Sequence, residues 1–217
     1  MTSTEVAERF RALRVVPVIV IEDAARAASL ARALTEGGLP CAEVTFRTKS
    51  AADAIRRMRD AQPDMLIGAG TVLTPTQVDS ALDAGATFIV APGFNPVVVD
   101  YCLERDVPVF PGTCTPSEVE AALMRGLRVV KFFPAEPAGG LPYLKAISAP
   151  YGEVSFMPTG GITRANLASY LAFPRVVACG GSWMASADAI AAGDFDAIRA
   201  ETERTVAATR GASTVAR

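Results

Sequence analysis

Eight short apolar segments recur along this chain of 217 residues, with helical segments between them. Their length and their Val, Ile and Phe content are typical of buried β-strands. The eight segments lie at residues 15–21, 41–46, 65–70, 88–93, 108–113, 128–133, 155–160 and 176–181. Ala, Leu, Arg and Glu at helical spacing predict helices between them, at residues 22–38, 50–61, 74–85, 95–106, 116–126 and 163–173.

Eight strand–helix repeats in a chain of this length predict an α/β fold, a (β/α)8 TIM barrel near the lower size limit. We expect a single domain over residues 1–217, with an N-terminal helix and a C-terminal helical cap at about 185–210, and fraying of the last few residues. A doubly wound sheet is the alternative, although it more often has about five or six strands. Residues 68–73 carry two glycines of a dinucleotide fingerprint but lack the third, so no such cofactor is expected.

The overall composition narrows the class of protein. Half of the residues are hydrophobic, a fifth are charged, and the net charge is −2. This balance is typical of a soluble globular protein and argues against a disordered chain or a nucleic-acid-binding one. The sequence has no apolar run near the length of a membrane span, and its first residues are polar, so we expect a cytoplasmic protein with no membrane partner.

The absence of histidine restricts the chemistry further. Histidine is the commonest metal ligand and the commonest general base, so zinc chemistry and Ser-His or Cys-His triads are improbable. Four widely spaced cysteines, with no CxxC pair, are interpreted as buried, reduced thiols. We therefore expect no metal and no cofactor, and acid–base work must fall to a carboxylate, a lysine, a tyrosine or water.

Lys131 is an amine within an apolar strand. The chain has only three lysines against eighteen arginines, and this one lies in the segment 128–133 among Val and Phe residues. A lysine there must be paired, or neutralised by desolvation. A neutral amine is a nucleophile toward carbonyl groups, a role that arginine cannot take. A buried structural salt bridge is the other interpretation, and the strand alone does not separate the two.

The second strand segment carries polar side chains at every other position. Glu43, Thr45 and Arg47 share one face, while Val44 and Phe46 share the other. Because the outer face of a barrel packs on helices, the polar set should face the interior, near the C-terminal strand ends where barrel active sites lie. This places a carboxylate and a guanidinium in the barrel mouth. An ion pair between Glu43 and Arg47 that serves stability alone is the alternative.

Glycines mark the ends of three other strand segments. The third ends in GAGT, which brings Thr71 to the mouth beside glycines that allow a ligand to approach closely. The seventh and eighth end in PTGGIT (158–163) and CGGSW (179–183). Backbone N–H groups freed in such turns can form an anion site, at the position where many barrels bind phosphate. Two such turns predict a phosphate-binding site.

Seven motifs together resemble those of one enzyme family. They lie in the right order across roughly residues 10–185 and read CAEVTFRT, GAGTVLTPTQ, APGFNP, FPGTCTPSE, KFFPAE, PTGGIT and GGSWM. The chain resembles the class I 2-keto-3-deoxy-6-phosphogluconate (KDPG) aldolase/4-hydroxy-2-oxoglutarate (KHG) aldolase family. The resemblance implies a homotrimeric (β/α)8 barrel that cleaves a phosphorylated keto acid to pyruvate and glyceraldehyde 3-phosphate through a lysine imine, without a metal.

The resemblance also implies roles for individual residues. Lys131 matches the Schiff-base lysine and Glu43 the general acid–base residue. Arg47 and Thr71 match groups that hold the pyruvate part, and Phe133 matches an aromatic side chain beside the imine. The phosphate-binding turns are matched by Gly160, Gly161, Gly180, Gly181 and Ser182.

Substrate choice stays open at this stage. Thr159 is similar to the residue associated with the gluconate rather than the galactonate epimer, and unphosphorylated KHG is a further candidate substrate. A phosphosugar isomerase or synthase on the same barrel would need the glycine turns but no imine-forming lysine. A non-catalytic binder of phosphorylated metabolites would also lack a trappable lysine adduct.

Overall fold

This computed structural model describes residues 1–212 of the chain. These residues form nine β-strands, and all of them lie within the eight predicted segments. They are β1 (Val15–Ile19), β2 (Cys41–Thr45), β3 (Leu66–Gly70), β4 (Ile89–Val90), β5 (Val109–Phe110), β6 (Gly112–Thr113), β7 (Val129–Phe132), β8 (Ser155–Pro158) and β9 (Cys179–Gly181). The predicted segment 108–113 holds two of them, β5 and β6, because Pro111 interrupts the ladder.

The strands form a closed parallel barrel. One sheet has the order β5-β4-β3-β2-β1-β9 and a second has the order β6-β7-β8, and every recorded strand pair is parallel. The chain passes from the first sheet to the second through Pro111, and parallel bridges Phe156–Val176 and Thr159–Gly180 join β8 to the segment of β9. The predicted TIM-barrel fold is confirmed.

Ten α-helices accompany the strands in the described part of the chain. They are α1 (Ser3–Leu13), α2 (Ala27–Glu36), α3 (Ala51–Ala61), α4 (Pro75–Asp83), α5 (Pro96–Leu103), α6 (Pro116–Leu123), α7 (Gly140–Ser148), α8 (Arg164–Leu171), α9 (Ala187–Ala192) and α10 (Phe195–Ala212). None of these helices combines the length and the hydropathy that crossing a membrane requires.

All six predicted helices are found, but one further helix was not predicted. α7 begins at Gly140 and contains Pro142, and both residues are typical of loops, so its sequence does not predict a helix. The predicted C-terminal cap consists of two helices, α9 and α10. The prediction that the last few residues fray concerns positions outside the described residues.

The N-terminal helix closes one end of the barrel. Val6 and Phe10 of α1 are fully buried, and the Phe10 ring lies 5.1 Å from that of Phe88 and 5.2 Å from that of Phe110, between centroids. These rings form an apolar cluster with inward-facing residues such as Met157. The lower half of the barrel interior is therefore filled with apolar side chains, which leaves the upper half, at the C-terminal strand ends, for polar groups.

Candidate active site

A buried amine and a buried carboxylate meet inside the upper half of the barrel. Nζ of Lys131, on β7, lies 3.2 Å from Oε1 of Glu43, on β2. The lysine is 5% exposed and the glutamate is fully buried. The pairing that the sequence analysis considered for Glu43 was with Arg47, whereas the carboxylate contacts Lys131 instead. The structure thus places both predicted catalytic residues in one hydrogen-bonded pair.

Glycine on β3 makes room for the carboxylate. A Cβ atom added at Gly70 would lie 2.2 Å from Oε1 and 2.6 Å from Cγ of Glu43. A Cβ atom at Gly68, one pleat lower, would meet the Phe88 ring at 2.3 Å. The sequence analysis expected these glycines to admit a ligand, but the space above Gly70 is occupied by the Glu43 side chain. Gly70 therefore lets this side chain reach across the barrel to Lys131, while Gly68 makes room for the Phe88 ring.

One oxygen of the carboxylate remains open. Oε2 of Glu43 is buried and has no hydrogen-bond partner among the described residues. A buried carboxylate oxygen without a partner is costly in a protein interior. It is therefore a candidate for proton exchange with a bound substrate or a water molecule, while Oε1 faces the lysine.

Two neighbours complete the surroundings of Lys131. Its amine lies 5.2 Å from the centroid of the half-buried Phe133 ring. Its backbone carbonyl accepts a hydrogen bond from Thr113 Oγ1 at 3.2 Å.

Thr45, predicted to face the barrel mouth, is buried and donates its hydroxyl to the Ile19 carbonyl at 2.9 Å. This bond joins β2 to β1, so the Thr45 hydroxyl stabilises the contact between two barrel strands.

Arg47 lies at the mouth for a different reason from the one predicted. The strand β2 ends at Thr45, so Arg47 belongs to the following turn, and it is exposed rather than inside the barrel. The strand alternation that assigned it an inward face was therefore wrong at this position. Its side chain nevertheless lines a cavity of about 250 Å³ together with Phe133 and Thr159. Within residues 1–212 it forms no ion pair, which leaves the guanidinium available to an anion.

Thr71 has an unusual backbone conformation. Its φ of +55° lies in the left-handed region, directly after β3 ends at Gly70. Such a conformation in a residue other than glycine is strained, and strain of this kind often occurs at functional sites. Thr71 is half-buried beside the glycine that accommodates Glu43 but is not among the residues that line the 250 Å³ cavity.

The cavity collects most of the other predicted site residues. Eight of the eleven residues that line it were predicted, namely Arg47, Phe133, Thr159, Gly160, Gly161, Gly180, Gly181 and Ser182. Sequence reasoning missed Val18, Val20 and Ile162. Val18 and Val20 lie at alternate positions of the first strand segment, so its period-two pattern could have predicted them. Ile162 directly follows Gly161, so its N–H group could have been predicted as part of the same turn.

The first glycine turn, at residues 159–161, is fixed by hydrogen bonds that its carbonyl groups accept. The carbonyl oxygens of residues 159–161 all accept hydrogen bonds from the surrounding protein. The donors, in the same order, are the backbone N–H groups of Ala135 and Glu136 and the side-chain amide of Asn166, at 2.8, 3.0 and 3.1 Å. The supporting groups thus approach the turn from two sides.

The N–H groups of this turn face the cavity as a consequence. Among the described residues the one cis peptide bond is Phe133–Pro134, so the units after Thr159 are trans and direct each N–H opposite to its C=O. Gly160 and Gly161 have φ values of +97° and +79°, a conformation that favours glycine. With the carbonyls of residues 159–161 bonded to the scaffold, the N–H groups of residues 160–162 point away from it, on a turn that lines the cavity. Such an arrangement of N–H groups is suited to an anion.

The second glycine turn packs tightly against the first. Thr159 is bridged to Gly180, and a Cβ atom at Gly180 would lie 2.3 Å from Thr159 Oγ1. A Cβ atom at Gly181 would lie 1.8 Å from the Trp183 ring. Gly180 therefore allows β9 to approach the end of β8, and Gly181 makes room for the Trp183 ring. Exposed Ser182 follows them at the rim of the cavity.

The protein family is shown by sequence. A family model described as KDPG and KHG aldolase matches residues 6–201. The chain belongs to this family. The family resemblance stated from the motifs is therefore confirmed.

Individual members of the KDPG and KHG aldolase family resemble the chain over most of its length. The 2-dehydro-3-deoxy-phosphogluconate aldolase of Treponema pallidum is 52% identical over 199 residues, which cover 92% of this chain and 95% of that protein. The KDPG aldolase of Legionella pneumophila, solved with pyruvate captured as a covalent carbinolamine intermediate, superposes with a TM-score of 0.88 at 40% identity, covering 92% of this chain and 97% of that one. The KDPG aldolase of Zymomonas mobilis, solved with 3-phosphoglycerate, has a TM-score of 0.87 at 39% identity and covers 93% and 95% of the two chains.

The cysteine thiols of this family member lie mostly in the protein interior. Among the described residues, no group of three or more His, Cys, Asp or Glu side chains is placed to hold a metal ion. All four cysteines are free, and three of them are buried. Burial raises the pKa of the Cys102 thiol to about 12 and raises the pKa of the Cys41 and Cys179 thiols as well, so these thiols are poor nucleophiles.

Proposed function

We propose that this protein is a Schiff-base aldolase that cleaves KDPG to pyruvate and glyceraldehyde 3-phosphate, and that it also cleaves KHG to pyruvate and glyoxylate. The observation that carries the proposal is the hydrogen-bonded pair of Lys131 and Glu43, buried beside a cavity with an anion site. Family membership and the carbinolamine captured in the Legionella relative support the lysine chemistry.

The pair supplies the nucleophile. Because both groups are buried, transfer of a proton from the Lys131 ammonium to the Glu43 carboxylate removes two charges from the interior and leaves a neutral amine. The neutral amine attacks the C2 carbonyl of the keto acid, and the protonated carboxyl of Glu43 gives a proton to the departing hydroxyl of the carbinolamine. Water leaves, and a protonated imine links C2 to Lys131.

The imine drives the cleavage. Glu43, left as a carboxylate by the dehydration, removes the proton of the C4 hydroxyl directly or through water. The C3–C4 bond breaks, and its electron pair moves toward the imine nitrogen to form an enamine. The C4 fragment leaves as the aldehyde. Glu43, directly or through water, protonates C3 of the enamine to give the imine of pyruvate, which water hydrolyses to release the product and the free amine. Oε2 of Glu43 is the oxygen free to exchange these protons.

The remaining site residues orient the substrate. We assign Arg47 to the C1 carboxylate, because its guanidinium lines the cavity and is free to form a charge-assisted hydrogen bond. Thr71 is assigned to the same pyruvate part, and Phe133 to the side of the imine, 5.2 Å from the amine. The N–H groups of residues 160–162, together with the turn at 180–182, are assigned to the phosphate.

Trapping with borohydride tests the lysine assignment. Reduction in the presence of pyruvate should fix one three-carbon adduct, which peptide mass spectrometry should place on Lys131. Lys131→Arg should keep the fold and abolish both the adduct and turnover, since a guanidinium cannot form the imine. Lys145→Arg is the matched control, because Lys145 is exposed on α7 and should leave both unchanged. An adduct on Lys49 or Lys145, or near-normal turnover in Lys131→Arg, would overturn the proposal.

We also infer that the enzyme is a cytoplasmic homotrimer. Leu73, in a loop, and Val97, in α5, are exposed apolar side chains at 50% and 62%. Asn95, the N-cap of α5, donates its side-chain amide to the Leu73 carbonyl at 3.4 Å and so links the helix to that loop. An apolar patch of this kind supports burial between subunits. Light scattering should give three times the chain mass of 22.7 kDa, and a monomer would contradict the inference. Cell fractionation tests the location.

A further inference from the structure

A buried tyrosine on α8 is bonded to the segment that supports the first glycine turn. The phenol of Tyr170 is 1% exposed and donates a hydrogen bond to Oε1 of Glu136, which follows β7. Burial, and then this hydrogen bond, raise the pKa of the Tyr170 phenol, so it stays a donor at neutral pH. Within residues 1–212 neither residue forms a hydrogen bond with Lys131 or Glu43, and the chemistry above leaves both of them without a role.

Glu136 contacts the glycine turn through its backbone and its side chain. Its N–H group donates to the Gly160 carbonyl at 3.0 Å. A Cβ atom at Gly161 would lie 2.6 Å from Glu136 Cβ, so the turn rests directly on the base of this side chain. A shift of Glu136 therefore shifts the peptide units whose N–H groups form the anion site.

The contact between the phenol and the carboxylate of Glu136, an exposed residue, lies against Gly140. A Cβ atom at Gly140 would lie 3.1 Å from Glu136 Oε1 and 3.4 Å from the Tyr170 hydroxyl oxygen. The Gly140 N–H group in turn donates to the Ala135 carbonyl at 2.9 Å. Ala135 is thus bonded to α7 and Glu136 to α8, and the N–H groups of both residues donate to the glycine turn.

We propose that Tyr170 and Glu136 are positioning residues for the phosphate group of the substrate. The phenol fixes the Glu136 side chain, Glu136 holds the Gly160 carbonyl, and the N–H groups of residues 160–162 are thereby aimed at the phosphate. This inference rests on the function proposed above. It differs from a role in stability alone, because the effect should fall on phosphorylated substrates and spare unphosphorylated ones.

Kinetics on two substrates separates these roles. Tyr170→Phe keeps the aromatic ring and removes the donor, so KM for KDPG should rise about tenfold with kcat nearly unchanged, as expected when a hydrogen bond to a charged group is lost. The kcat/KM for KHG, which has no phosphate, should stay within about twofold of the wild-type value. Tyr151→Phe is the matched control, because its hydroxyl also donates to a carboxylate, that of Glu120 at 2.9 Å, away from the cavity.

Variants of Glu136 test the order of the contacts. Glu136→Gln keeps an oxygen that accepts the phenol, so KM for KDPG should remain within about threefold of wild type. Glu136→Ala should raise KM for KDPG as much as Tyr170→Phe does. The double variant should have a KM no higher than either single variant, because both changes remove the same hydrogen bond.

The outcomes distinguish the two proposals. A wild-type KM for KDPG in Tyr170→Phe, or an equal loss on both substrates, would overturn the positioning role. If Tyr170→Phe does not fold, the contrast between Glu136→Gln and Glu136→Ala decides the question. A wild-type enzyme that cleaves no phosphorylated keto acid would instead overturn the proposed function.

Discussion

The two halves of the barrel interior are built from the same strands but have opposite chemistry. On β2, Cys41 belongs to the apolar cluster of the lower half, and Glu43, one pleat higher, is a buried carboxylate in the upper half. On β7, Val129 and Lys131 repeat this change. The difference teaches that the inward alternation of a barrel strand gives the direction of a side chain, while its height along the strand decides between packing and chemistry.

The largest expected effect tests the upper half. Glu43→Gln should lower kcat by about 10²–10⁴-fold, because the amide can no longer carry protons to and from the substrate. Steady-state kinetics measures this, and circular dichroism should show a retained fold. Cys41→Ala, two residues earlier on the same strand, is the matched control and should leave kcat unchanged. Equal losses in both variants would erase the contrast between the halves.

The next effect tests the lower half. Phe10→Ala should reduce the free energy of unfolding by about 3–5 kcal/mol, because it removes a fully buried ring that packs on Phe88 and Phe110. The kcat of the folded fraction should be unchanged. Urea denaturation followed by kinetics at low temperature measures both quantities. A large fall in kcat with little loss of stability would contradict the division.

A third test concerns the anion site at the rim of the upper half. Gly161→Ala should raise KM for KDPG about tenfold, because the new Cβ atom would lie 2.6 Å from Glu136 Cβ at a φ of +79°. Gly126→Ala is the matched control, since Gly126 has a φ of +77° but no atom within 4 Å of an added Cβ. Both variants carry the backbone strain, so a higher KM in the control would show that strain alone is responsible.

The smallest expected effect concerns substrate choice. Thr159→Val keeps the shape of the side chain and removes its hydroxyl, which lies against Gly180 and lines the cavity. We expect the ratio of kcat/KM for the phosphogluconate and phosphogalactonate epimers to shift toward galactonate by less than about tenfold. Competition between the two epimers measures the ratio, and an unchanged ratio would remove Thr159 from substrate discrimination.

Strand pattern predicted the barrel well because each strand is a short local signal. Eight segments with alternating helices were sufficient to identify the fold, and the helix α7 was missed because Gly140 and Pro142 are typical of loops. Arg47 was assigned to the right cavity by the wrong argument, since β2 stops two residues before it. Periodicity cannot show where a strand ends, because its last residues have the same composition as its interior.

The sequence by itself determined the alternation of strands and helices, the family, and the chemical types available to a site without histidine. Those properties are local or compositional, so they can be read along the chain. Only the tertiary structure decided that Glu43 pairs with Lys131, which lies 88 residues away in the chain, and that Gly70 makes room for this contact. It alone showed the support of the glycine turn by Glu136 and Tyr170. Such contacts depend on which strands become neighbours when the barrel closes, and no local pattern encodes the distance between two side chains on different strands.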